Sequence, residues 1–200
     1  MNIAEKLTVI AENEPKVYDA GKSAEYESFW ENALKDKQNT SFEYTFADMV
    51  WNDYTLNIPE KYLPLTPTSV NYPFRYCSAT ILPSVDYRGC GSTKTAYAYA
   101  RSAITIGTVI LREDGTNVFS STFSYCDDLE NITFAGCIGT SISFSSSKNL
   151  TSESINNIIE HLADLTGKTA QTITFHATVG NKLSDIQKTA IQNKNWDLAY

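Results

Sequence analysis

Phe123-Ser124-Tyr125-Cys126-Asp127-Asp128-Leu129-Glu130-Asn131-Ile132-Thr133-Phe134 is the stretch on which the reading of this chain turns. An aromatic residue is followed two positions later by Tyr, then directly by a small sulfur-bearing residue. Apolar Leu129 and Ile132 come a few positions on. The layout recurs upstream as Tyr97-Ala98-Tyr99-Ala100, as Phe74-Arg75-Tyr76-Cys77, and with Asp in place of Tyr as Phe46-Ala47-Asp48-Met49. The first residues of the four copies are 28, 23 and 26 positions apart. A fixed aromatic and a small apolar residue returning every 20 to 30 residues is the mark of stacked units, none of which can bury its apolar side alone. The fold expected is α/β: a short, irregular, leucine-rich-repeat-like solenoid over residues 41–200, preceded by an N-terminal helix over residues 1–40. Cys77, Ala100 and Cys126 should then be buried and aligned, with Phe74, Tyr97 and Phe123 beside them.

Downstream, short β-prone runs occupy residues 105–111, 131–134 and 141–144, with Asp114-Gly115, Gly136 and Gly139 as turns. The last fifty residues change rhythm. Thr151 or Ser152 caps a helix striped by Ile155, Ile158, Ile159, Leu162 and Leu165, with Gly167 as its stop. Residues 172–175 read as a strand, Ser184 and Gln187 as a capping box opening a helix through Ile191, and residues 196–199 as a last strand.

Upstream, residues 2–34 read as an acidic helix. Ile3, Ile10, Val17 and Ala24 recur every seven residues, with Leu7 as the second seam position of the first heptad before Glu14 and Gly21 break that seam. Pro15 should interrupt the helix or start a second one. Ile3, Leu7, Ile10, Val17 and Ala24 are the candidate attachment or homo-oligomerisation face, against the alternative of a helix packed on its own domain. Charge is as uneven as pattern. Residues 1–60 hold 12 acids and 5 bases and so carry the whole net charge of −7, while residues 61–200 balance at 11 and 11. That argues against nucleic-acid binding, which wants a basic face. No apolar run is long enough to span a bilayer, so no membrane insertion is expected. The start lacks the basic and apolar segments of a signal peptide, which places synthesis in a cytoplasm.

The chemistry-bearing residues do not assemble into an active site on paper. Cys77, Cys90, Cys126 and Cys137 form no CxxC pair, and only His161 and His176 could join them, so neither a metal nor another cofactor is expected. Asp127, Asp128 and Glu130 lack the alternating ligands of a calcium loop. There is no phosphate loop and no nucleophile elbow. Twelve tyrosines are generous for 200 residues. Tyr76, Tyr99 and Tyr125 hold one repeat position and should form a row about 5 Å apart. Either their rings pack partly into the core with hydroxyls at the surface, or they form a flat amphipathic strip that, with Arg75 and Arg101, meets a protein or a cell-surface glycan.

The residues 123–134 unit resembles the aromatic–xx–Cys–xx–Leu–xx–Ile repeat of BspA-type leucine-rich-repeat surface proteins, with residues 74–82 and 97–106 as weaker copies. The two ends, Ile3-Ala4-Glu5-Lys6-Leu7 through Tyr26 and Trp30, and Leu165-Thr166-Gly167-Lys168-Thr169 through Trp196, resemble proteins of phages and prophages of Gram-positive gut bacteria. That resemblance implies a non-enzymatic, tail- or baseplate-associated virion component presenting its surface to a host receptor or a neighbouring virion protein. The alternatives are a bacterial adhesion or adaptor protein binding a host protein, and a cell-wall glycan hydrolase. The last would need two facing carboxylates.

Overall fold

Pairs of tight turns, more than strands, organise the middle of this chain. In the computed structural model, which describes residues 41–43, 46–47, 58 and 60–200, the aromatic marks at residues 74, 97 and 123 each stand between two consecutive turns. The amides of Arg75, Ala98 and Ser124 donate to the carbonyls of Tyr72, Thr95 and Ser121. Those of Cys77, Ala100 and Cys126 donate to Phe74, Tyr97 and Phe123. The turns flip the chain so that residue 74, 97 or 123 points inward and the Tyr two positions on points outward.

Buried rings consequently stack. Phe46, Phe74, Tyr97 and Phe123 follow one another with centroids 5.2, 5.5 and 5.5 Å apart and planes within 7° of parallel. Phe144 and Phe175 continue the column at 4.7 and 6.1 Å, tilted by 23° and 17°. Tyr87 and Phe134 meet it edge-on, at 6.1 Å from Tyr97 and Phe123 respectively. Cys77, Ala100 and Cys126 are buried beside it. Stacked and edge-to-face contacts at these distances add about 0.5–1.5 kcal/mol per pair beyond area burial.

The strands are short and parallel. β1 (Ser41–Glu43) pairs with β2 (Ser69–Asn71). β3 (Ile81–Leu82) and β4 (Val85–Asp86) both pair with β5 (Thr105–Ile110), which pairs on its other side with β6 (Asn131–Ala135). β7 (Ile142–Phe144), β8 (Gln171–Phe175) and β9 (Trp196–Ala199) make the third sheet, in that order. Helices α1 (Ser152–His161), α2 (Ala177–Gly180) and α3 (Asp185–Asn193) belong to the C-terminal part.

This corrects the expected architecture. The described residues form a mixed α/β molecule with three small parallel sheets and few helices, and not one leucine-rich-repeat-like solenoid. The physical reason lies in residues that interrupt the ladder. Pro83 separates β3 from β4 and cannot donate to it. Gly107 sits where the β5–β6 register shifts, pressed so close to Ser84 that an added Cβ would lie 2.7 Å from its backbone nitrogen. Tyr72 and Gly136, both left-handed, directly follow β2 and β6 and end them. The N-terminal helix over residues 1–40, with Ile3, Leu7, Ile10, Val17 and Ala24, lies outside the described residues.

The C-terminal elements follow from capping. The Thr151 side chain accepts from the Ser154 amide to start α1, and Ser184 and Gln187 close a full capping box on α3. α1 stops at His161, well before Gly167. Ile138 there forms a parallel bridge with Leu162, and the Ala163 amide donates to the Ile138 carbonyl at 2.8 Å. The carbonyls left at the end of α1 are taken by Lys194, whose Nζ donates to Ile159, Glu160 and Leu162 at 3.0, 2.7 and 2.8 Å.

Candidate functional site: a tyrosine and arginine strip

The outward residue of each turn pair builds the candidate site. Tyr76, Tyr99 and Tyr125 each stand third in a four-residue turn, with φ of 52°, 64° and 60°. A turn with a left-handed third residue favours Gly or Asn there, and a side chain with a Cβ costs on the order of 1 kcal/mol. The backbone nonetheless locks each Tyr in place. The Tyr76 amide donates to the Tyr99 carbonyl at 3.0 Å, Tyr99 to Ser124 at 2.8 Å, and Tyr125 to the Ser146 hydroxyl at 3.0 Å.

All five residues singled out from the sequence come together. Tyr76 and Tyr99 have centroids 5.5 Å apart, and Tyr99 and Tyr125 4.6 Å apart. The Arg75 guanidinium lies 4.9 Å from the Tyr76 ring and 5.8 Å from Tyr99. That of Arg101 lies 6.0 Å from Tyr76 and 5.5 Å from Tyr125. Exposed cation–π contacts of this kind contribute about 0.5–1 kcal/mol each. A loose ion pair, 4.0 Å from Arg101 to Asp127, steadies one end. Tyr76 and Tyr125 remain 44% and 46% exposed.

The strip departs from the flat row expected. Tyr76 and Tyr99 are tilted by 58°, and only Tyr99 and Tyr125, at 13°, lie face to face. Ring faces are thus partly spent on one another. Sequence reading missed Tyr72, which joins at 6.1 Å from Tyr99 and also has a left-handed φ of 48°. Its signal was available: Tyr72, Thr95 and Ser121 each precede the inward ring by two residues.

Other chemistry-bearing groups have structural partners. His161 Nδ1 lies 2.8 Å from the Asn157 carbonyl, and the His176 side chain caps α2 by accepting from the Thr178 amide. Asp114 and Asp164 accept from the Thr two residues on, which lowers their carboxyl pKa values. Among the described residues no three His, Cys, Asp or Glu side chains gather as a metal site would require. No helix of the described residues is long and apolar enough to cross a membrane. An open concavity of about 600 Å³ lies between α3 and β9, lined by Lys188, Gln192, Trp196 and Tyr200, and brings no second carboxylate to face Asp197.

No family model, curated protein or solved structure matches this chain.

Proposed function

We propose that this chain is a non-enzymatic binding protein whose contact surface is the strip of Tyr76, Tyr99 and Tyr125 with Arg75 and Arg101. The observation carrying this reading is that three outward tyrosines occupy left-handed turn positions where Gly would be less strained. Strain held at a surface, with no core burial to recover it at Tyr76 or Tyr125, favours a role for the side chains themselves. Tyr and Arg are also the residues that concentrate binding energy at interfaces, since they give large contact area at low entropy cost. The setting, a phage or prophage tail-associated component facing a host receptor, follows from the resemblance of the repeat and the chain ends alone.

The test separates packing from contact. Each Tyr→Ala variant is measured for thermal midpoint and for binding to Gram-positive cells. A contact tyrosine loses about 2 kcal/mol of binding while the midpoint moves little. Lowered midpoints with unchanged binding per folded molecule would make the rings packing residues and remove the site.

A further inference from the structure

The tyrosine row has one unfinished end. The inner column continues past Phe123 to Phe144, 21 residues on. The same step from Tyr125 reaches Ser146, whose hydroxyl accepts the Tyr125 amide. A serine therefore stands where the row would place its next ring, and its backbone is not left-handed like that of the three tyrosines.

The guanidinium positions show which face of Tyr125 is left over. Arg101 lies within 6.0 Å of Tyr76 and 5.5 Å of Tyr125, so it sits at the level of Tyr99 between them. Arg75, near Tyr76 and Tyr99, is further still from the Ser146 level. Tyr99 stacks on Tyr125 from that same side. Among the described residues no ring or guanidinium meets Tyr125 from the Ser146 side, and the residue is 46% exposed. At this end of the row the Ser146 hydroxyl accepts the Tyr125 amide, and Ser145, next to it in sequence, pairs with Ser143, their Oγ atoms 3.2 Å apart. Ser143 and Ser145 are both exposed.

We propose that the Ser146-side face of Tyr125 is a subsite for one pyranose ring of a glycan, stacked by its C–H face on the tyrosine with its hydroxyls exchanging hydrogen bonds with Ser143, Ser145 and Ser146. A sugar fits because its hydroxyls both donate and accept, as the serine hydroxyls do, and its C–H face needs an aromatic face with no charge above it. An acidic peptide would instead be drawn to the level of Arg75 and Arg101. The assignment rests on the strip being a contact surface.

The experiment uses the full chain with three soluble probes: maltotetraose, mannotetraose and the N-acetylglucosamine tetramer. Saturation-transfer NMR reads contact with the sugar ring protons, and titration reads affinity. At least one probe is expected to receive saturation. Tyr125→Phe should keep its affinity within about threefold, because stacking does not use the phenol. Tyr125→Leu, similar in bulk but without a ring, should lose at least tenfold, on the scale of one stacking anchor. Absence of transfer to all three probes, or a Tyr125→Leu protein that binds as the parent does, overturns the sugar assignment. If cell binding still depends on the strip in that case and an Asp/Glu-rich peptide competes for it, the contact surface stands and its partner is a protein. If no Tyr variant alters cell binding, both readings fall.

Discussion

Tyr97 is the single phenol in a column otherwise made of phenylalanine, and its buried hydroxyl, beside the Tyr87 phenol, has no partner in good hydrogen-bond geometry. Burial accordingly pushes its pKa up. A buried hydroxyl without a partner costs roughly 1–3 kcal/mol. Tyr97→Phe should therefore leave stability unchanged or raise it by about 1 kcal/mol in urea denaturation, whereas Phe123→Ala should cost about 3–5 kcal/mol. A Tyr97→Phe protein clearly weaker than the parent would mean that the hydroxyl is satisfied after all. The cysteines allow a second test at this scale. Burial raises the Cys90 thiol to about 11 and the Cys126 thiol further, and each donates to a carbonyl, of Pro67 and Tyr97 respectively. Cys137 is only half-buried. At pH 8 a thiol reagent should modify Cys137 first, and Cys77, Cys90 and Cys126 only as the protein unfolds. Rapid reaction of more than one thiol in the native protein would contradict this.

At the scale of elements, the ends of helices and strands are where single side chains decide most. Lys194→Met removes the three donations that close α1 and should lower stability by about 1–3 kcal/mol, with the loss of protection confined to the last turn of α1 in amide exchange. Asp86, at the end of β4, receives two bonds from Arg88 Nε and a short one from Nη2, and these hold its carboxyl below the ordinary value of 3.8. The native state thus favours the ionised form, so this contribution is present above the ordinary value and lost as pH falls through the lowered one. Asp86→Asn should be less stable than the parent at pH 7, with the gap closing on acidification; a pH-independent gap would rule the ion pair out as its cause. The elements also show what could be read in advance. Strands β5 to β9 and the caps of α1 and α3 were legible, because alternation, capping boxes and glycines act locally. The stacking partners Phe74, Tyr97 and Phe123 were legible from spacing. The break into three sheets was not, since it turns on backbone conformations such as the left-handed φ of Tyr72 directly after β2, which runs against what a tyrosine normally adopts. Nor was the tilt between Tyr76 and Tyr99, which depends on where Arg75 and Arg101 settle.

Across the whole molecule the inner column joins what the sheets divide. Phe46 follows β1, Phe74, Tyr97 and Phe123 pack by the middle strands, and Phe144 and Phe175 end β7 and β8. One continuous buried cluster runs from Phe42 to Trp196. Separate sheets sharing one core should not melt separately. Denaturation followed through tyrosine absorbance and through backbone circular dichroism should give a single coincident transition, and Phe123→Leu should shift both signals together. Two resolved midpoints would mean that the C-terminal sheet stands alone.

Tyr99 and Tyr125, stacked 4.6 Å apart with nearly parallel planes, are also a pair of chromophores. Dipole coupling falls with the cube of distance, so excitation of one phenol is shared with the other, and the handed array they make with tilted Tyr76 rotates near-ultraviolet light as a unit. The surface carries its own optical label. Anything that settles on the open face of Tyr125, or prises it from Tyr99, would be written into that signal without a dye attached.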